Sequence, residues 1–346
     1  MKRPTQFDVA RMAGVSRATV SFVVNGLTDG RVPISEETRK RVLLAVAELG
    51  YEPDARAQAL RSGDTKTIEL IIPDIRNPQY WENISGMQQE IQSAGYRLIL
   101  SHLGRRNEYG DDVFANLLGQ RIDGLILMGS YIDQSELATK TLMLLRKRRL
   151  AIVEINDRLS RDHFVDNVVA DYRAATHEVM AYLLGLQHRR IALIYGVATP
   201  DLGLDRLEPY EEALDAAGIG TDPNLMIHCG PTIAESYQAA RQLLSQPVRP
   251  TAIVAINDML AFGVLRAAAD AGLHVPGDLS VVGFDDILVD DYTIPRLTSV
   301  GKDAIGMGVT AARMLLERIA NPDLPRQVVD FPAKVFLRES TGPARL

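Results

Sequence analysis

Apolar residues recur at helical spacing over the first fifty positions and in short unbroken runs thereafter, so the change of period divides the chain. In TQFDVARMAG, Val9, Ala10 and Ala13 make one stripe, Thr5 and Asp8 stand at capping-box spacing, and Gly14 falls where a chain leaving a helix takes a positive φ. Ser16 caps a second helix whose inward face is Val20, Val23 and Val24, leaving Arg17, Ala18, Ser21 and Phe22 outward. Ser35 opens a third, with Glu36 and Glu37 at its positive end and Val42, Leu43, Val46 and Leu49 inward, and Gly50 ends it. A small residue at the contact, a glycine corner and a serine cap coincide at helix-turn-helix spacing; the rival reading is a helical hairpin of some larger core. In a helix-turn-helix the second helix enters the major groove N-terminus first, which places Arg17 and Ala18 at the base edges. The run GLTDGRVP that follows reads as a loop in which Arg31 reaches a phosphate. Pro53 then breaks the chain, Asp54 caps a short helix to about Leu60, and Ser62-Gly63-Asp64 releases it. Such a helix is too short to hold alone in water, so it reads as a hinge.

From Thr67 the pattern alternates. IELIIP, YRLILS, GLILMG, AIVEI, VVA, IALIYG, AIVAI and LSVVGF are continuous apolar strands separated by helical stretches, the mark of parallel sheets covered on both faces. Their number suits two doubly wound α/β lobes better than one sheet. The carboxyl ends, where such sheets take ligands, carry Pro73-Asp74, Ser130, Asn156-Asp157, Asn257-Asp258 and Asp285-Asp286. A cleft between the lobes is therefore the expected ligand site.

Composition changes this picture little. With 346 residues, 46% hydrophobic and 24% charged, the chain is globular and exceeds one ordinary core. No apolar run reaches membrane-spanning length, MKRPTQFDVA lacks a signal-peptide core, and Cys229 is alone, so a cytoplasmic protein with no membrane partner is expected. Charge is more telling. Residues 1–63 hold ten Lys/Arg against seven Asp/Glu, while the remainder holds 28 against 37. A basic head on an acidic body is what a DNA-binding unit with a separate control unit looks like.

DVARMAGVSRATVSFVVNG, ISEETRKRVLLAVAELGYEPDARAQALRSG, TIELIIPDIRNPQYWENISGM, HRRIALI, RPTAIVAINDMLAFGVLRAAADAGLHVPGDLSVVGFDD and FLREST together resemble the lactose-repressor (LacI/GalR) family of bacterial transcription regulators along essentially the whole chain. The resemblance implies a helix-turn-helix head over 1–50, a hinge helix and linker over 51–65, and an effector-binding and dimerisation core over 66–346 similar to periplasmic binding proteins. Its N-lobe is expected at about 66–163 and 298–330 and its C-lobe at about 164–297 and 331–346. It implies a homodimeric, nucleoid-associated regulator, a repressor, on a pseudo-palindromic double-stranded DNA operator, controlled by a small sugar-like effector. Arg17 and Ala18 match base-reading positions, and Thr5, Ser16, Thr19, Ser21 and Asn25 match phosphate-gripping ones. Phe22 stands where arginine is usual, and a ring there meets a thymine methyl. Leu60 matches the residue that wedges into the minor groove, with Ala57 and Arg61 beside it in the hinge. For the effector, Arg206 matches the arginine of R-x-x-G-Y/F, although Pro209 replaces the glycine; Asn257 and Asp285 match hydroxyl-binding residues, and Tyr80 and Trp81 an aromatic pair at the cleft. Asn156 stands where an aspartate is frequent, and Lys302 where glutamine is, which favours an anionic ligand; if Arg206 and Lys302 both point inward, either Asp285 neutralises one of them and the effector is a neutral carbohydrate, or the effector is a sugar acid. The chain ends soon after FLREST without an apolar heptad tail, so a dimer is expected and not a tetramer.

Competing signals are weaker. Gly306-Met307-Gly308 with Ala311 mimics a dinucleotide fingerprint but has no following βαβ unit, so helix packing is the better reading and no cofactor is expected. The six histidines show no metal spacing. Asp285-Asp286 and Asp290-Asp291 have no nucleophile motif nearby, so no enzyme is expected. A sugar-binding protein or a sugar-processing enzyme on the same core remains the alternative.

Overall fold

The computed structural model describes residues 4–24, 34–51, 65–104, 107–129, 135–157, 164–196 and 204–345, in two compact units, Met1–Lys66 and Thr67–Leu346. Asn25, Arg31, Ala57, Leu60, Arg61 and Ser130, with the whole expected hinge helix, lie outside the described residues.

The first unit is three helices, α1 (Gln6–Ala13), α2 (Arg17–Val24) and α3 (Glu36–Leu49). The Thr5–Asp8 capping box forms, with the Thr5 N–H donating to Asp8 Oδ2 at 2.9 Å. Gly14 has φ 64°, and a Cβ there would touch nothing within 4 Å, so the corner needs glycine for its dihedral rather than for space. Val9, Ala10, Ala13, Val20, Val23, Val42, Ala45 and Tyr51 form the small core. One expected inward residue is misplaced: Leu43 is 47% exposed, and Ala45 takes the buried place one turn after Val42. The buried stripe of α3 thus advances by three where the sequence suggested a neighbouring pair, and the small Ala45 lets the helices approach.

The second unit runs β1 (Thr67–Ile72), α4 (Gln79–Ser93), β2 (Arg97–His102), α5 (Gly110–Leu117), β3 (Gly124–Met128), α6 (Glu136–Lys147), β4 (Ala151–Asn156) and β5 (Asp166–Asp171). It continues through α7 (Tyr172–Gly185), β6 (Ile191–Tyr195), α8 (Leu204–Ala216), β7 (Met226–His228), α9 (Ile233–Leu244), β8 (Ala252–Ala255), α10 (Asp258–Asp270), β9 (Ser280–Asp285) and β10 (Thr298–Gly301). Last come α11 (Ala304–Ala320), β11 (Val328–Pro332) and β12 (Lys334–Phe336). One sheet has the order β11-β5-β4-β3-β1-β2, the other β12-β10-β9-β8-β6-β7, and each is parallel except that β12 lies antiparallel on β10. These are two doubly wound lobes with their helices on both faces.

Two lobe boundaries differ from expectation. β5 was expected to open the C-lobe, yet Asn167–Asp171 pairs with Val328–Pro332 in the first sheet. Thr298–Gly301 was expected in the N-lobe, yet it pairs with Val282–Asp285 in the second. An apolar run fits either sheet equally well, and only its partners decide between them, for β5 the neighbouring β4 and the distant β11. The chain therefore crosses between lobes after Asp171, after Gly301 and after Pro332.

The glycine pair of the false fingerprint sits inside α11, which packs across α4. A Cβ on Gly308 would collide with the Asn83 carbonyl oxygen and one on Gly86 with the Ile305 carbonyl oxygen. The glycines serve close helix approach, and Asn83 Nδ2 donates to the Ala304 carbonyl at 2.9 Å across the same contact.

Candidate functional site

In the head, Ser16 Oγ accepts from the Thr19 N–H at 3.1 Å and so fixes the start of α2. That leaves Arg17 and Ala18 exposed in its first turn, while Thr19, Ser21 and Phe22 are half-buried. Thr5 is exposed at the start of α1, its hydroxyl donating to Asp8 Oδ2 at 2.7 Å. Thr5 and Ser16 thus sit at two helix N-termini, where backbone N–H groups and the helix dipole favour anions.

In the core, a set of charges collects at the carboxyl ends of the strands. Arg206, on α8, is 5% exposed. Its Nη2 donates to Asp157 Oδ2 at 3.2 Å, its Nη1 to Asp205 Oδ1 at 3.2 Å, and its guanidinium lies 3.9 Å from the centroid of the Tyr172 ring. Lys302 points inward, with Nζ donating to Tyr172 Oη at 2.8 Å and to Gln79 Oε1 at 3.4 Å. Tyr172 Oη in turn donates to Asp285 Oδ1 at 3.3 Å, and Lys302 Nζ is 3.8 Å from that carboxylate and 4.0 Å from Asp157. Since Asp157 and Gln79 belong to the first lobe, Arg206 and Asp285 to the second, and Lys302 to the crossing after Gly301, these contacts bridge the cleft.

The electrostatics follow from burial. Desolvation pushes the Asp285 and Asp205 carboxyls up to about 6, with Lys302 and Arg206 pulling Asp285 back and Arg206 doing the same for Asp205. Burial also works against ionised Asp157, yet Arg206 and Lys302 outweigh it and leave that carboxyl below its ordinary value. Tyr80 is half-buried beside them, its phenol raised by burial and then by Asp285, Asp157 and Asp74. Asp285 and Asp286 take φ of 109° and 55°, both unusual for residues with a Cβ. The Asp286 N–H donating to Ser299 Oγ at 3.1 Å and the Arg338 ion pair at 2.7 Å hold the turn there, and strain of this kind gathers at functional sites.

Not every expected residue joins this group. Asn156 turns its Nδ2 to Asn167 Oδ1 at 3.0 Å and so ties β4 to β5, while its neighbour Asp157 enters the cluster. Asn257 spends its carbonyl capping α10, accepting from the Leu260 N–H at 2.9 Å. Trp81 separates from Tyr80, being 56% exposed with its indole N–H at 3.4 Å from the Ile75 carbonyl. An inward Lys302 left two expectations, an anionic ligand or neutralisation by Asp285, and here the carboxylates of Asp157, Asp205 and Asp285 lie against the two cations. Asp157 is one of the expected strand-end residues, whereas Asp205, Tyr172 and Gln79 are not. Tyr172 follows the last residue of β5, so the rule that found the other strand ends would find it once that strand is given its full length.

Comparison with known proteins fits both parts. The family described as bacterial regulatory proteins, lacI family, matches residues 6–54, and the periplasmic binding protein-like domain matches 180–341. Catabolite control protein A of Priestia megaterium is 31% identical over 97% of this chain and 99% of its own. This chain belongs to the lacI family. The ribose operon repressor of Haemophilus influenzae is 32% identical over 97% of this chain and 98% of its own. Among solved structures, a complex of the transcriptional regulator CelR with cellobiose is 30% identical with a TM-score of 0.71, covering 98% of this chain and all of that one. The lac repressor dimer bound to operator and the anti-inducer ONPF is 26% identical with a TM-score of 0.83, covering 99% and 100%. As a lacI-family member, the protein is a DNA-binding transcription regulator with an effector-binding core. No helix among the described residues is long and apolar enough to cross a membrane.

Proposed function

We propose that this lacI-family regulator is a cytoplasmic, non-enzymatic repressor that binds a pseudo-palindromic operator as a homodimer and is controlled by a neutral polyhydroxylated sugar between its lobes. The observation that carries the effector class is the balance of the cluster: Arg206 and Lys302 are each within 4.0 Å of carboxylates, so no anion is needed to neutralise them. Carboxylates accept from sugar hydroxyls, guanidinium and ammonium groups donate to them, and the half-buried Tyr80 offers a ring to a sugar face. The relative solved with cellobiose supports the same class. Arg17 and Ala18 at the exposed start of α2 read base edges, with Ser16, Thr19 and Thr5 on phosphates. Asn25, Arg31 and the hinge residues Ala57, Leu60 and Arg61 complete the contact. A thermal-shift panel of neutral mono- and disaccharides, sugar phosphates and uronic acids tests the effector. A ligand at a hundredfold excess over its Kd stabilises the core by about 2.7 kcal/mol. Neutral sugars are expected to raise Tm; a shift confined to the charged sugars, or one that survives Arg206→Gln, refutes the proposal.

A further inference from the structure

The first lobe carries a second concentration of charge at the opposite end of two of the same strands. A cavity of about 220 Å³ lies at the amino ends of β4 and β5, its lining including Leu150, Phe164, the carboxylate of Asp166 and four arginines, Arg146, Arg149, Arg318 and Arg326. The carboxyl ends of those strands lead to Asp157 and Tyr172, so a strand of six residues, about 20 Å, separates the cavity from the interlobe cluster.

The bland account is that arginines near helix C-termini offset the helix dipole. It suffices for Arg318, in the last turn of α11, which Asp166 holds by two hydrogen bonds of 2.9 and 2.8 Å and which also donates to the Pro325 carbonyl at 2.8 Å. Arg146, in the last turn of α6, offsets its helix dipole in the same way, but neither it nor Arg149 just beyond has the buried carboxylate partner that Arg318 has. Arg149 meets Asp323 in an ion pair whose side chains are 65% and 85% exposed, an arrangement that water weakens. Arg146 has no acidic partner among the described residues, and its guanidinium lies 5.4 Å over the Phe164 ring. Two guanidinium forks three residues apart, beside a partly apolar wall, match an oxyanion on a short carbon body. The volume falls below the roughly 300 Å³ at which ordinary ligand pockets begin, so the body is compact.

We propose that this cavity binds a small organic dianion, a phosphate monoester or a dicarboxylate, at a site separate from the interlobe cleft, with Arg146 and Arg149 gripping the charged group and Phe164 against its carbons. Calorimetry on the full chain, in a low-salt buffer free of phosphate, uses phosphoglycolate, succinate and inorganic phosphate as probes. Binding by phosphoglycolate alone assigns the phosphate monoester, by succinate the dicarboxylate, and by inorganic phosphate as well a site that needs no carbon body. The double variant Arg146→Gln/Arg149→Gln should weaken that binding about tenfold or more while leaving the anion-free Tm and the neutral-sugar shift unchanged. Lys302→Gln and Arg206→Gln should leave it intact. Three results overturn the proposal: no probe binding below about 10 mM; loss of binding in the cleft variants instead of the double variant; or a double variant that binds the probes normally but shows weaker, less salt-dependent binding to random DNA, which would make the arginines a phosphate-backbone contact.

Discussion

Asp258 and Asp290 are fully buried, and burial raises both carboxyls, Asp258 being raised further by the charges of Asp290 and Asp285. Ser299 Oγ donates to Asp258 at 2.6 Å, while burial pushes Asp290 up to about 7 from 3.8. The folded state therefore holds a proton that the unfolded chain has already lost, and stability from this group rises as pH falls from 8 through 7. His188 works the other way only below its ordinary 6.5, because burial lowers it. Chemical denaturation of the core should accordingly give about 1 kcal/mol more stability at pH 6.5 than at pH 8. Asp290→Asn should flatten that dependence; an unchanged slope would mean the proton is held elsewhere. Arg206 poses the complementary case. Arg206→Ala strands Asp157 and Asp205 beside a buried cavity, and on the order of 3–5 kcal/mol of core stability should be lost, read from the midpoint of urea unfolding. A loss under about 1 kcal/mol would show that water re-enters and solvates the carboxylates.

At the scale of elements, α11 depends on glycine and α2 on its cap. Gly308→Val should lower core stability by roughly 1–3 kcal/mol through overpacking against Asn83, measured by thermal melting, and leave the isolated preference for operator bases untouched. Arg17→Ala should do the reverse, costing about 1–3 kcal/mol in operator binding at one position of each half-site with no change in Tm. A gel-shift series in which Arg17→Ala binds and discriminates normally would remove α2 from the groove. The head was legible in the sequence because its signals are local: Thr5–Asp8, Gly14 and Ser16 act within four residues. Most strands were legible for the same reason, since TIELII or ALIY-type runs declare themselves. β7 leaves no mark in the apolar pattern, because Met226–His228 is only three residues long and half-exposed, and α9 after it is marked only by the Thr232–Glu235 capping box. Lobe membership was illegible, since β5 finds β11 and β10 finds β12 only in three dimensions. The site was half legible. Strand-end polarity found Asp285 and the Asn156-Asp157 pair, and the family resemblance added Arg206 and Lys302, but which of Asn156 and Asp157 faces the cleft depends on a hydrogen bond to Asn167 that no local pattern announces.

At the scale of the whole core, three passages between lobes mean that neither lobe is a continuous stretch of chain. The first lobe's sheet is largely laid down by Asn156, yet α11, which covers it with Met307, Ala311 and Leu315 against Met87, Ile91 and Ile126, begins at Ala304. That has a consequence for biosynthesis. At about 5–20 residues per second a ribosome needs roughly 7–30 s to travel from one to the other. During that interval an apolar sheet face waits uncovered, a binding surface for trigger-type holdases and for neighbouring nascent chains. Chains stalled near residue 300 should therefore expose protease sites in the first lobe that full-length release closes, and pulse proteolysis of stalled ribosomes would detect them. Protection of the stalled chain equal to that of the released one would mean the early strands find a substitute cover, and that α11 must displace it last.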